Sequence, residues 1–226
     1  PIDSAGIVAA VSVPDVPEIY PLGLPNAMRV MLPPLANELC GASRPGHFDG
    51  VASVVCRLLN IVQPDVLVLG QKDYQQYVLV ERMATDLRMA VRVVRGPTLR
   101  EPDGLAMSSR NRYLTAEERG RAPQLHAALE AVANALREGR RDYPALAADA
   151  VERLRGAKFR PDYVEVRRAA DLTHPESSDR AEDLVVLGWL FMRPVDVARS
   201  GRIQRVVDQR GLARAGDPRH TGQQAD

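Results

Sequence analysis

Short apolar runs alternate with helical patterns over residues 48–94, and this alternation constrains the fold more than any other feature of the chain. Apolar side chains recur every three or four residues from Phe48 to Val62, which is the spacing of one helix face. Val66–Leu69 follows as a continuous apolar strand of the kind that is buried on both faces. A second helical pattern covers about 75–87, and Ala90–Val94 is another apolar strand. This order of elements predicts right-handed crossovers and an α/β fold with a parallel sheet.

Three further elements are predicted before residue 48. Gly6–Val13 is predicted to be a further buried strand, Pro14–Pro25 a proline-rich loop, and Pro33–Cys40 a short helix.

The pattern changes after residue 96, where Gly96–Arg112 is polar and rich in turn residues. Thr115 and Glu118 form a capping box that predicts a long helix to about Arg137. A helix over 143–154 and strands over 163–166, 184–187 and 203–207 follow. We therefore predict an α/β domain over 1–98, a smaller α+β domain over 99–208, and a disordered tail over 209–226.

Composition excludes several classes of function. Thirty basic and 29 acidic side chains leave a net charge of +1, which favours neither nucleic acid nor an anionic membrane as a partner. No apolar run approaches the roughly 18 residues of a membrane span, and the first residues carry no secretory signal pattern. Cys40 and Cys56 lack metal-ligand spacing, so we expect reduced thiols in a cytoplasmic protein. Lys72 and Lys158 are the two lysines of the chain, and the other basic side chains are arginines.

Polar residues follow the first of the two apolar strands, at the edge where open parallel sheets bind ligands. Gly70 allows a close approach to the backbone, Lys72 brings a mobile positive charge, and the next helix offers its N-terminal amides to a phosphate. Asp73 can accept from a ribose hydroxyl or a magnesium-bound water, and Gln75 and Gln76 can each donate and accept. The segment is either a phosphate site or a hydrophilic turn with an Asp cap.

A second polar cluster, Met107–Arg112, holds two hydroxyls, two guanidiniums and an amide, which are groups that can wrap a polyphosphate. It is alternatively a solvated loop that leads into the capped helix. His47 lies at a predicted helix start, where a lone histidine is more often structural than catalytic. The four histidines are too far apart in sequence to offer metal-ligand spacing.

Several segments, taken in order, carry a resemblance to a known family. They are Tyr20-Pro21, Ser43–Val51, Val62–Asp65, Gly70–Gln76 and Arg100–Leu114. Together they resemble the pantothenate synthetase family, the pantoate–β-alanine ligases, over about residues 5–154 and weakly to 208.

The resemblance implies a Rossmann-like nucleotide-binding domain, ATP with Mg²⁺ as the cofactor, pantoate and β-alanine as substrates, and a homodimer. Gly70, Gln71, Lys72 and Asp73 resemble the ATP-binding segment of the family, and Gln76 resembles its pantoate-binding glutamine.

The same resemblance assigns the second polar cluster. Met107, Ser108, Ser109 and Arg110 resemble a mobile nucleotide-binding loop, and Leu99 falls where the family contacts the adenine side through its backbone. The implied catalytic residues are Lys72, Ser108, Ser109 and Arg110, and no residue is implied as a metal ligand.

The His-x-Gly-His motif of the family does not occur in this sequence. We therefore expect the chain to lack the front of the nucleotide-binding domain, to bind ATP weakly and to make no measurable pantothenate by itself. Two alternatives stay open. One is another adenylate-forming or nucleotidyl-transferring enzyme of the same fold, and the other is an inactive remnant that only folds or dimerises.

Overall fold

The protein is represented by a computed structural model that describes residues 12–191 and the backbone of Ile203–Val206. The helices are α1 (Val16–Ile19), α2 (His47–Val62), α3 (Tyr74–Asp86), α4 (Ala116–Arg121), α5 (Gln124–Arg137) and α6 (Tyr143–Gly156). The strands are β1 (Val66–Gly70), β2 (Arg92–Gly96), β3 (Arg160–Arg168), β4 (Leu184–Phe191) and β5 (Ile203–Val206). The strand predicted over 6–13 falls almost wholly outside the described residues, as does the tail predicted over 209–226.

The described residues form two compact units. The first contains the residues up to Leu67 together with Arg82–Arg92, and the second contains Val68–Glu81 together with the residues from Val93 onward. The domain boundary at residue 98 stays a prediction. Within the described ranges, no helix combines the length and the hydrophobicity that crossing a bilayer requires.

In the first unit, side chains of α2 hold the extended segment that precedes it. The Ser53 hydroxyl accepts from the Val30 amide at 2.9 Å, and the Asp49 carboxylate accepts from the Leu32 amide at 2.9 Å. The Arg57 guanidinium donates to the Met28 carbonyl at 2.6 Å. Among the described residues these backbone groups lie outside any helix or strand, and the side chains of α2 satisfy them. The loop predicted over 14–25 is interrupted by the short helix α1, whose capping box is formed by Asp15 and Glu18.

The strands β1 and β2 pair in parallel, as the alternation of strand and helix predicts. The Arg92 amide donates to the Asp65 carbonyl at 2.9 Å, and the strands then advance together until Gly96 lies beside Leu69. The prediction that β1 is buried on both faces is wrong for this chain, because Val68 is 63% exposed. A strand is buried on both faces only when packed elements cover both, and the described residues leave one face of β1 open.

The long helix predicted from Thr115 to Arg137 is two helices. The capping box at Thr115 is confirmed: the Thr115 hydroxyl accepts from the Glu118 amide at 3.2 Å, and the Glu118 carboxylate accepts from the Thr115 amide at 2.9 Å. The helix stops at Arg121, and α5 begins at Gln124 after Pro123. Proline has no amide hydrogen and its ring crowds the preceding turn, so it ends one helix and starts the next.

The second unit has its core where α5 and α6 pack on an antiparallel sheet in the order β3–β4–β5. Leu129 on α5 is 0% exposed and packs closely against Gly188 of β4. The helix over 143–154 and the strands over 163–166, 184–187 and 203–207 are confirmed within a few residues, because each has the apolar period of its element. The two cysteines are free thiols, as predicted; Cys40 is buried and Cys56 is half-buried.

Candidate functional site

The segment Gly70–Asp73 lies at the carboxyl end of β1. Gly70 has an ordinary extended backbone with φ −65° and ψ 126°, and a methyl group added there would find no atom within 4 Å. The residues Gln71–Asp73 form a 3₁₀ turn in which Lys72 is half-buried and Asp73 is exposed. The backbone of β5 contacts this turn. The turn therefore places an open glycine, a cation and a carboxylate at the carboxyl end of the strand, the position where open α/β sheets generally bind ligands.

The first residue of α3 joins this turn to the rest of the second unit. Tyr74 is 1% exposed, and its hydroxyl donates to the Ala169 carbonyl. The Arg95 guanidinium donates to the Tyr74 hydroxyl at 3.3 Å and lies 5.4 Å from the centre of the Tyr77 ring, a cation–π distance. These contacts fix the start of the helix that carries the candidate turn.

The two glutamines on α3 have different surroundings. Gln75 is 0% exposed, a difference that the shared hydrogen-bonding capacity of the two side chains does not indicate. A helix turns by 100° per residue, which directs adjacent side chains to different faces. Gln76 is half-buried and stays the candidate.

Tyr77 on the same helix is held in its neutral form. Burial, and then its hydrogen bond to the Glu81 carboxylate at 2.5 Å, raise the pKa of the Tyr77 hydroxyl above its ordinary value. It is therefore not available as a base at neutral pH.

Leu99–Met107 forms a narrow hairpin. The Met107 amide donates to the Leu99 carbonyl at 2.8 Å, and the Glu101 amide donates to the Leu105 carbonyl at 2.8 Å. Gly104 at the turn has φ +90°, a conformation that favours glycine, and a methyl group there would lie 3.0 Å from the His126 ring. Leu99 is 67% exposed and Met107 57% exposed. The hairpin thus places two of the predicted nucleotide-site residues side by side with their side chains open to solvent.

The loop that follows divides its polar groups between solvent and the protein. Ser109 and Arg110 are exposed, and the Ser108 hydroxyl accepts from the Arg110 amide at 3.2 Å. The Asn111 side-chain amide instead donates through Nδ2 to the Glu101 carboxylate at 2.9 Å, and the Arg112 guanidinium donates to the Tyr113 hydroxyl at 2.7 Å. The donors of Asn111 and Arg112 thus have protein partners, and Ser108, Ser109 and Arg110 stay the candidates for a phosphate site.

His126 in the second unit and His47 in the first each have a polar side chain beside the ring. Burial first, and then the charge of Arg100, lower the pKa of His126 below its ordinary value of 6.5, although Glu130 opposes the shift. His126 is therefore neutral at pH 7. His47 lies at the start of α2, where Nδ1 is 3.1 Å from the Arg44 guanidinium and the ring packs on Phe48. These contacts agree with a structural role for His47.

The structure places the predicted site residues in two groups within the second unit. Gly70, Gln71, Lys72, Asp73 and Gln76 lie at the end of β1 and the start of α3, and Leu99 and Met107–Arg110 lie on the hairpin and its loop. Sequence reasoning missed Tyr74, Glu101 and Arg119 as supporting residues. Their partners lie 10 to 95 residues away, beyond the reach of any local pattern. Among the residues with described positions, no group of three or more His, Cys, Asp or Glu side chains could hold a metal ion.

Comparison with known proteins bears on both groups of residues. A family model described as pantoate-beta-alanine ligase matches residues 2–199. The pantothenate synthetase of Thioalkalivibrio sulfidiphilus (strain HL-EbGR7) is 50% identical over 190 residues, which are 81% of this chain and 66% of that protein. That of Pseudomonas entomophila (strain L48) is 49% identical over 179 residues, which are 79% of this chain and 62% of that protein. The chain thus spans less than two thirds of the length of these relatives.

Solved structures give the same family name. The crystal structure of pantothenate synthetase from Thermus thermophilus has a TM-score of 0.74 and 39% identity, over 85% of this chain and 67% of that one. A pantoate-beta-alanine ligase from Francisella tularensis, complexed with beta-gamma ATP and beta-alanine, has a TM-score of 0.61 and 26% identity. That match covers 84% of this chain and 61% of that one.

Proposed function

We propose, on the premise that this chain belongs to the pantoate-beta-alanine ligase family, that it serves the ATP-dependent joining of pantoate to β-alanine. The observation that carries the proposal is the position of Gly70–Asp73 at the carboxyl end of a parallel strand, with open space at Gly70. The same segment lies within the residues that match the family.

The proposed reaction has two steps. In the first, a carboxylate oxygen of pantoate attacks the α-phosphorus of ATP, and pyrophosphate leaves with the electrons of the broken P–O bond. In the second, the amine of β-alanine attacks the acyl carbon of the pantoyl adenylate, loses a proton, and expels AMP. Both leaving groups are anions, so groups that offset negative charge lower the barriers.

Residues of both groups offset this negative charge. Lys72 from the turn and Arg110 from the loop offset the charge on the phosphates, and the hydroxyls of Ser108 and Ser109 donate to phosphate oxygens. Gln76, one helical turn beyond Lys72, binds pantoate. Leu99 and Met107 contact the adenine side through the backbone and the exposed apolar side chains of the hairpin.

We propose that Mg²⁺ binds together with ATP. Mg²⁺ in such sites is held by one or two carboxylates and by the phosphates of the substrate, which fits a turn with a single exposed carboxylate, Asp73. The bound ion would offset phosphate charge beside Lys72.

A glycine substitution tests the nucleotide site. Gly70→Ala adds a methyl group into open space at an ordinary φ, so we expect an unchanged thermal unfolding midpoint. If ATP approaches this backbone closely, the methyl group displaces it, and the dissociation constant for ATP rises about tenfold, or ~1.4 kcal/mol. The measurement is a titration with a fluorescent ATP analogue.

Gly50→Ala is the matched control for this test, since Gly50 on α2 also has no neighbour within 4 Å of an added methyl group. We expect that variant to bind ATP like the parent. A parent chain without ATP affinity would contradict the proposed function. Equal ATP affinity in the parent and in Gly70→Ala would remove Gly70 from the site.

We also propose a cytoplasmic location. The free thiols of Cys40 and Cys56 suit a reducing compartment.

We further propose a homodimer, with the apolar helix α2 beside the basic loop at Arg44 as the candidate contact surface. Light scattering at micromolar concentration should give twice the chain mass of 24.8 kDa, and a monomeric mass would contradict the dimer.

A further inference from the structure

Three side chains form a hydrogen-bonded cluster at the base of the exposed loop. Asn111 donates through Nδ2 to the Glu101 Oε1 atom at 2.9 Å and to the Ala106 carbonyl at 3.1 Å. Arg119 donates through Nη2 to the other carboxylate oxygen of Glu101 at 2.5 Å. The carboxylate of Glu101 therefore joins the loop to helix α4.

The loop is held at both ends, by the hairpin at one end and by the cluster at the other. Met107 is held to Leu99 by its backbone amide at 2.8 Å, and Asn111 is held to Ala106 and Glu101 by its side chain. Only Ser108, Ser109 and Arg110 lie between these two anchors. A short segment with fixed ends has few conformations, so less entropy is lost when a ligand orders it.

The orientation of the Asn111 amide is determined by its partners. Both partners of Nδ2 are acceptors, a carboxylate and a carbonyl, so an inverted amide would place oxygen against oxygen. Within the described structure, the Oδ1 atom of Asn111 is buried and has no partner. Asn111 thus contributes to the cluster only as a donor.

Arg119 braces the hairpin from the other side. Its Nη1 atom donates to the Asp103 carboxylate at 2.5 Å while Nη2 binds Glu101, so one guanidinium spans both carboxylates of the turn. The hydrogen bond from Arg119 lowers the pKa of the Asp103 carboxyl below its ordinary value, and Asp103 in turn raises the pKa of Arg119. The turn and α4 are therefore tied by charges that persist across the neutral pH range.

We propose that Asn111, Glu101 and Arg119 are positioning residues that hold Ser108–Arg110 in the conformation that binds the phosphates of ATP. The inference rests on the proposed function, since it assigns a purpose to the loop that binds the nucleotide. We propose no contact between these three residues and the nucleotide. They act through the loop by reducing the number of conformations it must leave on binding.

The test substitutes a donor by an acceptor at nearly constant shape. Asn111→Asp removes both donated hydrogen bonds and sets a second carboxylate against Glu101. We expect trypsin to cleave after Arg110 at least about tenfold faster, relative to cleavage after Arg137, since proteolysis follows the population of open conformations. We also expect the dissociation constant of a fluorescent ATP analogue to rise about tenfold, with the circular dichroism spectrum of the parent retained.

Two further variants separate positioning from general loss of structure. Asn111→Asp combined with Glu101→Gln restores a hydrogen bond between these two side chains but not the one to the Ala106 carbonyl. Cleavage and ATP affinity should therefore both return part of the way toward the parent values. Asn134→Asp is the matched control, because the exposed Asn134 accepts from Arg137 through Oδ1 and an aspartate keeps that bond. If Asn111→Asp does not fold, Asn111→Ala, which adds no charge, carries the same two measurements.

Each outcome bears on a separate statement. Cleavage of Asn111→Asp at the parent rate would overturn the inference, as would faster cleavage with unchanged ATP affinity. Failure of the double variant to recover either property would also overturn it. A parent chain that binds no ATP would contradict the proposed function and, with it, the role of the loop in binding phosphates. The cleavage rates would still show whether the cluster orders the loop.

Discussion

Lys72→Ala should lower ATP-dependent pyrophosphate release by at least about a hundredfold, measured in a chain extended to the length of its family relatives. Lys72 lies half-buried in the turn at the end of β1, and in the proposed function its positive charge offsets the charge of the phosphates. Loss of one preorganised group that stabilises transition-state charge costs about a hundredfold to a thousandfold in rate. A continuous phosphate-release assay with added pyrophosphatase measures the change.

The control for this variant is the other lysine of the chain. The Lys158 side chain is 79% exposed, and its Nζ atom is 3.9 Å from the Glu117 carboxylate, a surface pair of small energetic effect. Lys158→Ala should therefore release pyrophosphate at the parent rate. A rate for Lys72→Ala within a few-fold of the parent would remove Lys72 from the catalytic residues.

Leu129→Ala should lower the free energy of unfolding by about 3 kcal/mol, the usual cost of truncating a buried leucine. Leu129 is 0% exposed at the centre of the α5–sheet contact, so the substitution leaves a cavity that its neighbours cannot fill. Urea denaturation followed by circular dichroism gives the value. Leu87→Ala, at a leucine that is 53% exposed, should change it by less than about 1 kcal/mol.

The partner of Leu129 gives this prediction a second check. A methyl group on Gly188 would lie 3.0 Å from Leu129 Cδ2, which is too close for unstrained packing. Gly188→Ala should therefore be destabilising by itself, and Leu129→Ala should relieve part of that cost in the double variant. Strictly additive effects would show that the two residues do not share this contact.

Local patterns were sufficient for most helices and strands. The helix predicted from Phe48 to Val62 begins one residue earlier, at His47, and the capping box at Thr115 starts a helix as expected. The parallel order of β1 and β2 is also confirmed. For the helix and the capping box the deciding interactions lie within a few residues, because apolar period and capping are local properties. The parallel pair instead followed from the order of strand, helix and strand. Among the local errors, the continuous helix across Pro123 came from giving the apolar period more weight than the proline.

The candidate site was predictable only in part. The position of Gly70–Asp73 after β1 followed from the strand and helix periods, while the roles of Gln76 and of Met107–Arg110 followed from the family resemblance. Neither the apolar periods nor the family resemblance indicated that Gln75 is wholly buried or that the Asn111 side chain turns toward Glu101. The direction of a polar side chain depends on which acceptor lies beside it after packing.

By itself, then, the sequence determined the order of helices and strands and, through that order, the parallel pair. It also indicated the segments of the candidate nucleotide site, since these follow from local period and residue type. Only the tertiary structure decided that Val68 lies on an open face and that Arg119 spans Glu101 and Asp103 from 18 and 16 residues away. It also decided that Tyr74 reaches the carbonyl of Ala169, 95 residues along the chain. Burial and long-range hydrogen bonds depend on which elements pack together, and packing joins residues that no local pattern relates.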